Sequence, residues 1–298
     1  MREMGYKVIG VSYGENGELV YTRDSFKRNT KNFGLPQNRP RVYIMAFSRE
    51  IYGDAVNELS NSLPTESEEK IFENVNEILE ENVGAHYYMS AQYLQTLINH
   101  RARQKQNGNG FGYCVVNDPD RSPQIANTIM ATGGSGKERN LILQPNPDYF
   151  NLQIPGKISP LNDRGIRVMT PTEWGRLQGF IGYAFLDEEG NERFEFPDDM
   201  KDGQKYKQFG NSVSIPVINT MARFMLECLD KLVSNPLGLI ALMARKKEII
   251  VKQDVIDLLK VDTNQANYLL RKAVNEGMIE LTTRGKYASY RLANAKGD

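Results

Sequence analysis

The spacing of apolar and polar residues divides the chain into a β-rich start, an acidic stretch, a glycine-rich middle and a helical end. Lys7–Ser12 and Glu18–Tyr21 flank the turn-forming Gly14–Gly17, which predicts two strands joined by a turn. The β-branched and aromatic residues of Val42–Phe47 predict another strand. We expect these segments to form the last strands of an α/β sheet.

Two helices are predicted between residues 54 and 106. Asp54–Val83 is acidic and reads as a solvated connector with one amphipathic helix that starts near Pro64–Glu69. Ser90 is a good N-cap for a second helix that runs to about Gln104. The apolar residues of this second helix keep helical spacing: Tyr93, Leu94, Leu97 and Ile98.

From Asn107 the composition changes to glycine and short β-like pieces, at Gln124–Ala131 and Asn140–Gln144. Gly133–Lys137 reads as a flexible turn that connects them. A P-loop requires a preceding strand and a following helix, and that order does not occur around these glycines. A loop with a binding role and an ordinary hairpin turn both remain open.

Two further helices follow. Thr170, Pro171 and Glu173 have the spacing of a capped helix start, and Gly179 marks its end. Pro216 opens a longer helix with a stripe of apolar residues three and four apart. The stripe consists of Ile218, Met221, Phe224, Met225, Cys228 and Leu232.

The end of the chain predicts a winged helix-turn-helix. A helix within Lys247–Lys260, a short turn, a helix over Asn264–Asn275 and a basic hairpin around Thr283–Lys286 follow one another in that order. The second helix would present polar residues to DNA: Gln265, Asn267, Arg271 and Lys272. Folds of this type also dock proteins, so DNA and protein are both open as partners.

The composition limits the number of domains and the classes of partner, but it does not indicate a function. The 298 residues, 40% of them hydrophobic, suffice for one large or two ordinary domains, and the formal net charge is zero. Binding of nucleic acid therefore needs local clustering of positive charge. The longest apolar run, around Leu237–Ala244, is far shorter than the roughly 20 residues of a membrane span, so we expect no membrane association and a cytoplasmic protein.

Metal chemistry is not expected. The chain has two cysteines, Cys114 and Cys228, and two histidines, His86 and His100. Their spacing does not suit a tetrahedral zinc site.

Candidate chemistry begins with three polar residues that alternate along one extended segment. Gln37, Arg39 and Arg41 would point to one side of a strand, and Asn38 and Pro40 to the other. Two guanidinium groups on one face suit an anion. A pair of surface arginines at a strand entrance is the alternative.

The longer string Gly34-Leu-Pro-Gln-x-Arg-x-Arg-Val-Tyr43 resembles the Gln-x-Arg-x-Arg motif of the DNA (cytosine-5) methyltransferases. That resemblance implies that Arg39 contacts the backbone phosphate of an extruded nucleotide. It also implies that Arg41 contacts O2 of the cytosine, where negative charge develops when a thiolate attacks C6.

Three later segments resemble the same family in the correct order. They are Gly108–Tyr113, Arg167–Phe180, where Ile181 replaces the usual proline, and Tyr206–Val213. The resemblance implies loops that enter the DNA major groove, with Lys137 and Arg139 on phosphates. It also implies that Asn211, Ser212 and Val213 lie against S-adenosylmethionine.

The family nucleophile lies in a Pro-Cys-Gln type loop, and neither cysteine of this chain matches it. We therefore expect a DNA (cytosine-5) methyltransferase subunit or fragment from a restriction-modification system that is inactive without an N-terminal methyltransferase polypeptide. Duplex DNA, that polypeptide and a cognate restriction endonuclease are its candidate partners. A non-catalytic DNA-binding or regulatory protein derived from a methyltransferase is the alternative.

The expected fold is α/β with four parts. Residues 1–50 would be the remnant of a Rossmann-like methyltransferase sheet, and residues 51–205 a small mixed α+β target-recognition domain with its acidic connector. Residues 206–235 would return the chain to the catalytic domain, and residues 236–298 would form the winged-helix-like domain.

Overall fold

A computed structural model describes residues 5–110, 112–132, 137–233, 236–285 and 287–293. These residues form nine α-helices, most of them between short strands and 3-10 turns. The helices are α1 Arg23–Phe26, α2 Arg49–Tyr52, α3 Ala91–Gln106, α4 Pro171–Gln178, α5 Asp202–Asn211, α6 Ile215–Val233, α7 Pro236–Lys247, α8 Lys252–Leu259 and α9 Thr263–Asn275.

The strands are short and pair in small sheets. They are β1 Tyr6–Val8, β2 Ser12–Tyr13, β3 Leu19–Val20, β4 Lys27–Asn29, β5 Gln37–Asn38, β6 Pro40–Val42, β7 Ala46–Ser48, β8 Ala126–Asn127, β9 Leu141–Leu143, β10 Ile166–Val168, β11 Ile250–Val251, β12 Ile279–Thr283 and β13 Ser289–Leu292. Among them β5 and β8 pair in parallel, and the pairs β1–β7, β2–β3, β4–β6 and β9–β10 are antiparallel. Residues 1–50 were expected to form the remnant of one sheet, but their described strands form separate two-stranded pairs and β5, which pairs with β8.

The chain divides into two compact units. One contains residues 27–42 and 65–220, and the other contains residues 1–26, 43–64 and 221–298. The core of the first unit is built on the indole of Trp174, which meets the ring of Tyr206 edge-on at 4.7 Å between centroids. Phe209, Ile129 and Ile142 are buried in the same cluster.

Two predicted helix starts in this first unit are confirmed. The Ser90 hydroxyl accepts a hydrogen bond from the amide of Tyr93 at the start of α3. Thr170 and Glu173 form a reciprocal capping box at the start of α4, which ends at Gly179 with φ of 78°.

The acidic segment departs from the prediction. No α-helix occurs between residues 64 and 83, all of which the structure describes; instead Val75–Ile78 forms a 3-10 turn. The side chains of Val75 and Ile78 have no exposed surface, and both belong to the core with Trp174. The prediction of a solvated amphipathic helix was wrong because a few apolar residues anchor an otherwise acidic segment.

Two other predicted elements are interrupted or reduced. The strand over Val42–Phe47 is split, because β6 ends at Val42 and β7 begins at Ala46. The apolar stripe of α6 is buried at Cys228, but Ile218 and Met225 are 40% and 41% exposed. That helix therefore carries exposed apolar side chains as well as buried ones.

The C-terminal elements follow one another as helix, strand, two helices and a hairpin. Strands β11, β13 and β12 form one sheet in that order, with β13 antiparallel to both neighbours. The helix predicted over Lys247–Lys260 begins only at Lys252, because Ile250 and Val251 pair with β13. The aliphatic core of this C-terminal region includes Leu237, Ile240, Val255, Leu270 and Ile279.

The described ranges lack membrane-spanning helices and clusters of metal-binding side chains. Among those residues, no helix has the length and apolar character needed to cross a bilayer. The same residues contain no group of three or more histidine, cysteine, aspartate or glutamate side chains suited to a metal ion.

Candidate active site and nucleic-acid interface

The segment Gly34–Val42 carries the predicted arginine motif. Gly34 has φ of +85°, and a Cβ there would lie 2.4 Å from the carbonyl oxygen of Glu69, so the turn before the motif requires glycine. Gln37 then pairs with Ala126 in the parallel β5–β8 pair, and Arg41 lies opposite Arg28 in the antiparallel β4–β6 pair.

Arg39 is buried and bonded to main-chain carbonyls. It is 2% exposed; Nη1 donates to the carbonyl of Ile129 at 2.7 Å, and Nη2 donates to the carbonyls of Gly210 and Ser212 at 2.8 and 2.7 Å. Carbonyl oxygens thus accept hydrogen bonds from three N–H groups of the guanidinium for which the family resemblance implied a phosphate. We call this arrangement the Arg39 clamp.

The clamp joins the two motifs that sequence reasoning had treated separately. Gly210 lies close to the backbone of Met130, and a Cβ on Gly210 would be 2.4 Å from the Met130 carbonyl oxygen. A side chain would push Gly210 away from the segment after β8, which also supplies the Ile129 carbonyl. The glycine of the Gly-Asn-Ser-Val motif is therefore required by the packing that positions Arg39.

Arg41 differs from Arg39 in exposure and partners. Its side chain is half-buried, and Nη1 donates to the carbonyl of Pro40 at 2.7 Å. Arg28, directly opposite in register, is 4% exposed, and burial lowers its pKa. Residues directly opposite each other in an antiparallel pair lie on the same face, so two arginines share this face of β4–β6.

Arg28 was missed by sequence reasoning because the register of β4 against β6 is a tertiary feature. Gln37, the first residue of the motif, is fully buried, and both its amide atoms are without a hydrogen-bond partner among the described residues. Exposure therefore increases along the motif from Gln37 through Arg39 to Arg41.

The two cations expected on phosphates have different surroundings. The ammonium of Lys137 lies 3.8 Å from the centroid of the Tyr206 ring, and burial lowers the pKa of Lys137. Arg139 is exposed and lines a cleft of about 590 Å³. Contact between Lys137 and a phosphate would require its ammonium to leave the ring. Gly133–Gly136, the adjacent turn, lies outside the described residues.

The candidate cofactor residues end α5 and lead to α6. Asn211 is exposed, while the hydroxyl of Ser212 donates to the carbonyl of Phe209 at 2.8 Å. Val213 is 45% exposed and lines an apolar groove of about 470 Å³ with Phe180 and Ile218. The exposed amide of Asn211 and the apolar surface of Val213 thus lie close together in sequence and could both contact a ligand.

A buried ion pair organises the segment Arg167–Phe180. The side chains of Arg167 and Glu173 have no exposed surface. Two N–H groups of the guanidinium donate hydrogen bonds to the carboxylate, at 2.9 and 2.6 Å. The carboxylate also accepts from the amides of Thr170 and Glu80, at 2.9 and 3.0 Å. The ion pair therefore has a structural role, because it ties the start of α4 to the segment around Glu80.

Neither cysteine is arranged as an activated nucleophile. Cys228 is 3% exposed on α6, and burial raises the pKa of its thiol. Cys114 is half-buried, and its sulfur accepts a hydrogen bond from Nη1 of Arg121 at 3.1 Å. In neither case does a histidine or carboxylate of the described residues form a hydrogen bond to the thiol.

The residues predicted to read DNA on α9 are unequally available. Gln265, Arg271 and Lys272 are exposed, whereas Asn267 is half-buried. Tyr268, which sequence reasoning did not select, is 62% exposed on the same helix. The buried face of α9 consists of Ala266, Leu270 and Ala273.

A family model for C-5 cytosine-specific DNA methylases matches residues 18–227. The chain belongs to this family. The match includes the Arg39 clamp, the cleft beside Arg139 and the Arg167–Glu173 pair, and it ends before α7. The tail from α7 onward therefore lies outside the matched region.

Type II methyltransferases are among the relatives. The chain is 40% identical over 208 residues to M.HpaII of Haemophilus parainfluenzae, a match that covers 68% of this chain and 50% of that protein. It is 34% identical to M1.ScrFI of Lactococcus lactis subsp. cremoris, covering 72% of this chain and 46% of the relative. The chain spans about half the length of these curated relatives.

Among solved structures, the Entamoeba histolytica methyltransferase EhMeth aligns with a TM-score of 0.43 and 16% identity, covering 76% of this chain and 56% of that one.

Proposed function

We propose that this chain supplies the target-recognition region and the arginine wall of the cytosine pocket to a type II DNA (cytosine-5) methyltransferase. The observation that carries this proposal is the Arg39 clamp, which joins the Gln-x-Arg-x-Arg and Gly-Asn-Ser-Val motifs within one compact unit. The expected reaction is base flipping, thiolate addition at C6, methylation at C5 and elimination.

Arg41 is the arginine we assign to the cytosine. Arg41 lies opposite Arg28 in strand register, and its half-buried guanidinium gives one N–H to the Pro40 carbonyl. A donor fork in this position suits the negative charge that develops on O2 as C6 is attacked. Arg39 acts as a positioning residue, and the buried Gln37 holds the strand beside β8.

S-adenosylmethionine supplies the methyl group when it is bound. The exposed amide of Asn211 and the exposed side chain of Val213 fit one wall of such a site, because they offer a polar and an apolar contact next to each other. The Ser212 hydroxyl is engaged with the Phe209 carbonyl, so the Ser212 contribution would come from its main chain.

We propose that DNA is contacted by Arg139 in the first unit, with Lys137 available only if it leaves the Tyr206 ring. In the tail, the order of helices and the β11–β13–β12 sheet support a winged helix-turn-helix. Gln265, Arg271 and Lys272 would then face DNA on α9, with Asn267 at the edge of that surface. A partner polypeptide or a cognate restriction endonuclease is the alternative ligand of the tail.

The nucleophile is supplied from outside this sequence, in our proposal by a separate N-terminal methyltransferase polypeptide. The burial of Cys228 and the lack of a Pro-Cys-Gln loop around either cysteine support this assignment. Transfer of labelled methyl groups from S-adenosylmethionine to duplex DNA tests it. We expect transfer when the chain is mixed with its N-terminal partner and none from either polypeptide alone. Inactivity with every candidate partner encoded beside it would contradict the proposal.

A second candidate function is a non-catalytic DNA-binding regulator, which the tail outside the family match favours. Deleting the residues after Asn235 separates the two functions. A methyltransferase subunit retains complementation after the deletion, whereas a regulator loses control of its operon.

A further inference from the structure

We infer that the cleft beside the motif strand binds the sugar-phosphate backbone of duplex DNA, with Arg101 and Lys105 of α3 as phosphate contacts next to Arg139. The inference rests on the proposed function and names the side chains that would hold the DNA beside the cytosine pocket.

The charge of the cleft wall points to a polyanion. The lining residues include three cations and no carboxylate, and the polar remainder consists mainly of amides and a hydroxyl. The cations are Arg101, Lys105 and Arg139, and the uncharged lining includes Asn38, Asn127 and Thr128. In the described ranges, none of the three cations forms an ion pair, so their charge is available to a ligand.

Helix α3 holds Arg101 and Lys105 on the cleft side. Its buried residue Leu94 packs in a cluster with Met89, Leu141 and Ile166, which fixes one face of the helix. Residues four apart lie on the same face, so Arg101 and Lys105 are neighbours in the cleft wall.

The helix dipole alone does not account for this arrangement. Basic residues are generally favoured in the last turns of a helix, and α3 contains no aspartate or glutamate among its 16 residues. Arg103 lies between the two cleft cations in sequence and shares their exposure, but it does not line the cleft. The chain thus provides a matched cation on the same helix outside the proposed site.

The loop after α3 positions Arg101. The guanidinium carbon of Arg101 lies 5.2 Å from the centroid of the Tyr113 ring. A Cβ on Gly112 would lie 2.9 Å from Cγ of Arg101, so glycine allows the loop to approach the helix. An arginine held in this way loses less side-chain entropy when it binds a phosphate.

The opposite wall is tied to the arginine motif. The hydroxyl of Thr128 donates to the carbonyl of Asn38 at 2.7 Å, and the side-chain amide of Asn127 donates to the carbonyl of Arg139 at 2.7 Å. Asn38 lies between Gln37 and Arg39 in the motif. A DNA backbone in the cleft would therefore run beside the strand that carries Arg41.

The salt dependence of DNA binding by the full chain tests the inference. The double variant R101Q/K105Q is compared with wild type and with the control variant R103Q, using a labelled duplex between about 50 and 200 mM KCl. Each lost phosphate contact lowers the slope of log K against log salt by about 0.9, so we expect a decrease of about 1.8 for the double variant. R103Q should keep the wild-type slope, and thermal unfolding of each variant confirms that it is folded.

The inference is overturned if R101Q/K105Q keeps the wild-type slope, or if R103Q lowers the slope as much per residue. If the wild-type chain shows no salt-dependent DNA binding, the DNA-recognition part of the proposed function is contradicted. If complementation fails while DNA binding is intact, the subunit proposal fails and this inference still stands.

Discussion

The first unit and the C-terminal tail use charge in opposite ways. The first unit buries Arg39 against carbonyl oxygens and Arg167 against Glu173, so polar groups determine its internal geometry. The tail has an aliphatic core and keeps ion pairs such as Arg291–Glu280 at its surface. Buried polar groups in the first unit fix the relative positions of sequence motifs, whereas any specific function of the tail must depend on its exposed side chains.

The largest effect is expected from Glu173→Gln, which leaves the guanidinium of Arg167 buried without its counter-charge. Removing one member of a buried pair costs about 3–5 kcal/mol. Denaturant unfolding should show this decrease in the free energy of unfolding. The control Glu280→Gln breaks an exposed pair in the tail and should cost about 1 kcal/mol or less. Equal effects of the two substitutions would contradict the contrast between the regions.

Leu270→Ala tests whether the tail is separate from the methyltransferase function. Leu270 is fully buried in the aliphatic core, so its truncation should destabilise the tail by about 2–5 kcal/mol. Methyl transfer by the complemented enzyme should remain near the wild-type value. Leu258→Ala, at a side chain that is 41% exposed, is the milder control. Loss of methyl transfer in proportion to the loss of tail stability would contradict a separate tail.

Gly210→Ala tests the packing behind the Arg39 clamp. The added methyl group would meet the Met130 carbonyl, and overpacking of this kind costs about 1–3 kcal/mol. Gly110 has open space around its Cβ position, so Gly110→Ala is a matched control with little expected effect on unfolding. Similar stability of the two variants would mean that the approach of Gly210 to Met130 is not required.

The smallest effect concerns pH and Asp254 in the tail. Burial acts to raise the pKa of this carboxyl, but hydrogen bonds from Lys247 and the amide of Val251 outweigh it and lower the pKa. A depressed pKa gives stability that is present above the unfolded value of about 3.9 and lost as pH falls through the folded value. Asp254→Asn should therefore make the free energy of unfolding of the tail depend less on pH in the acid range. An unchanged pH dependence would show that Asp254 does not contribute to acid unfolding.

Local sequence signals were sufficient for part of the fold. The Ser90 and Thr170 caps give their helices nearly correct starts because capping depends on residues within one turn. The segment around Val75 was misjudged, since its burial depends on Trp174, about a hundred residues away.

The sequence predicted which residues belong to the candidate site, but not which groups they contact. The motif spacing selected Arg39 and Arg41, but the carbonyl partners of Arg39 lie up to 173 residues away in sequence. The same limit hid Arg28, whose position opposite Arg41 follows from strand register. Long-range approach of this kind leaves no periodic signal in a single sequence.

The most direct test of the cytosine-pocket assignment is Arg41→Ala in the complemented enzyme, with turnover and DNA affinity measured separately. Loss of a donor to the developing charge on O2 should lower kcat by roughly 100-fold or more, while the Kd for duplex DNA stays within a few-fold of wild type. An equal loss in kcat and DNA affinity would contradict the position of Arg41 beside the cytosine.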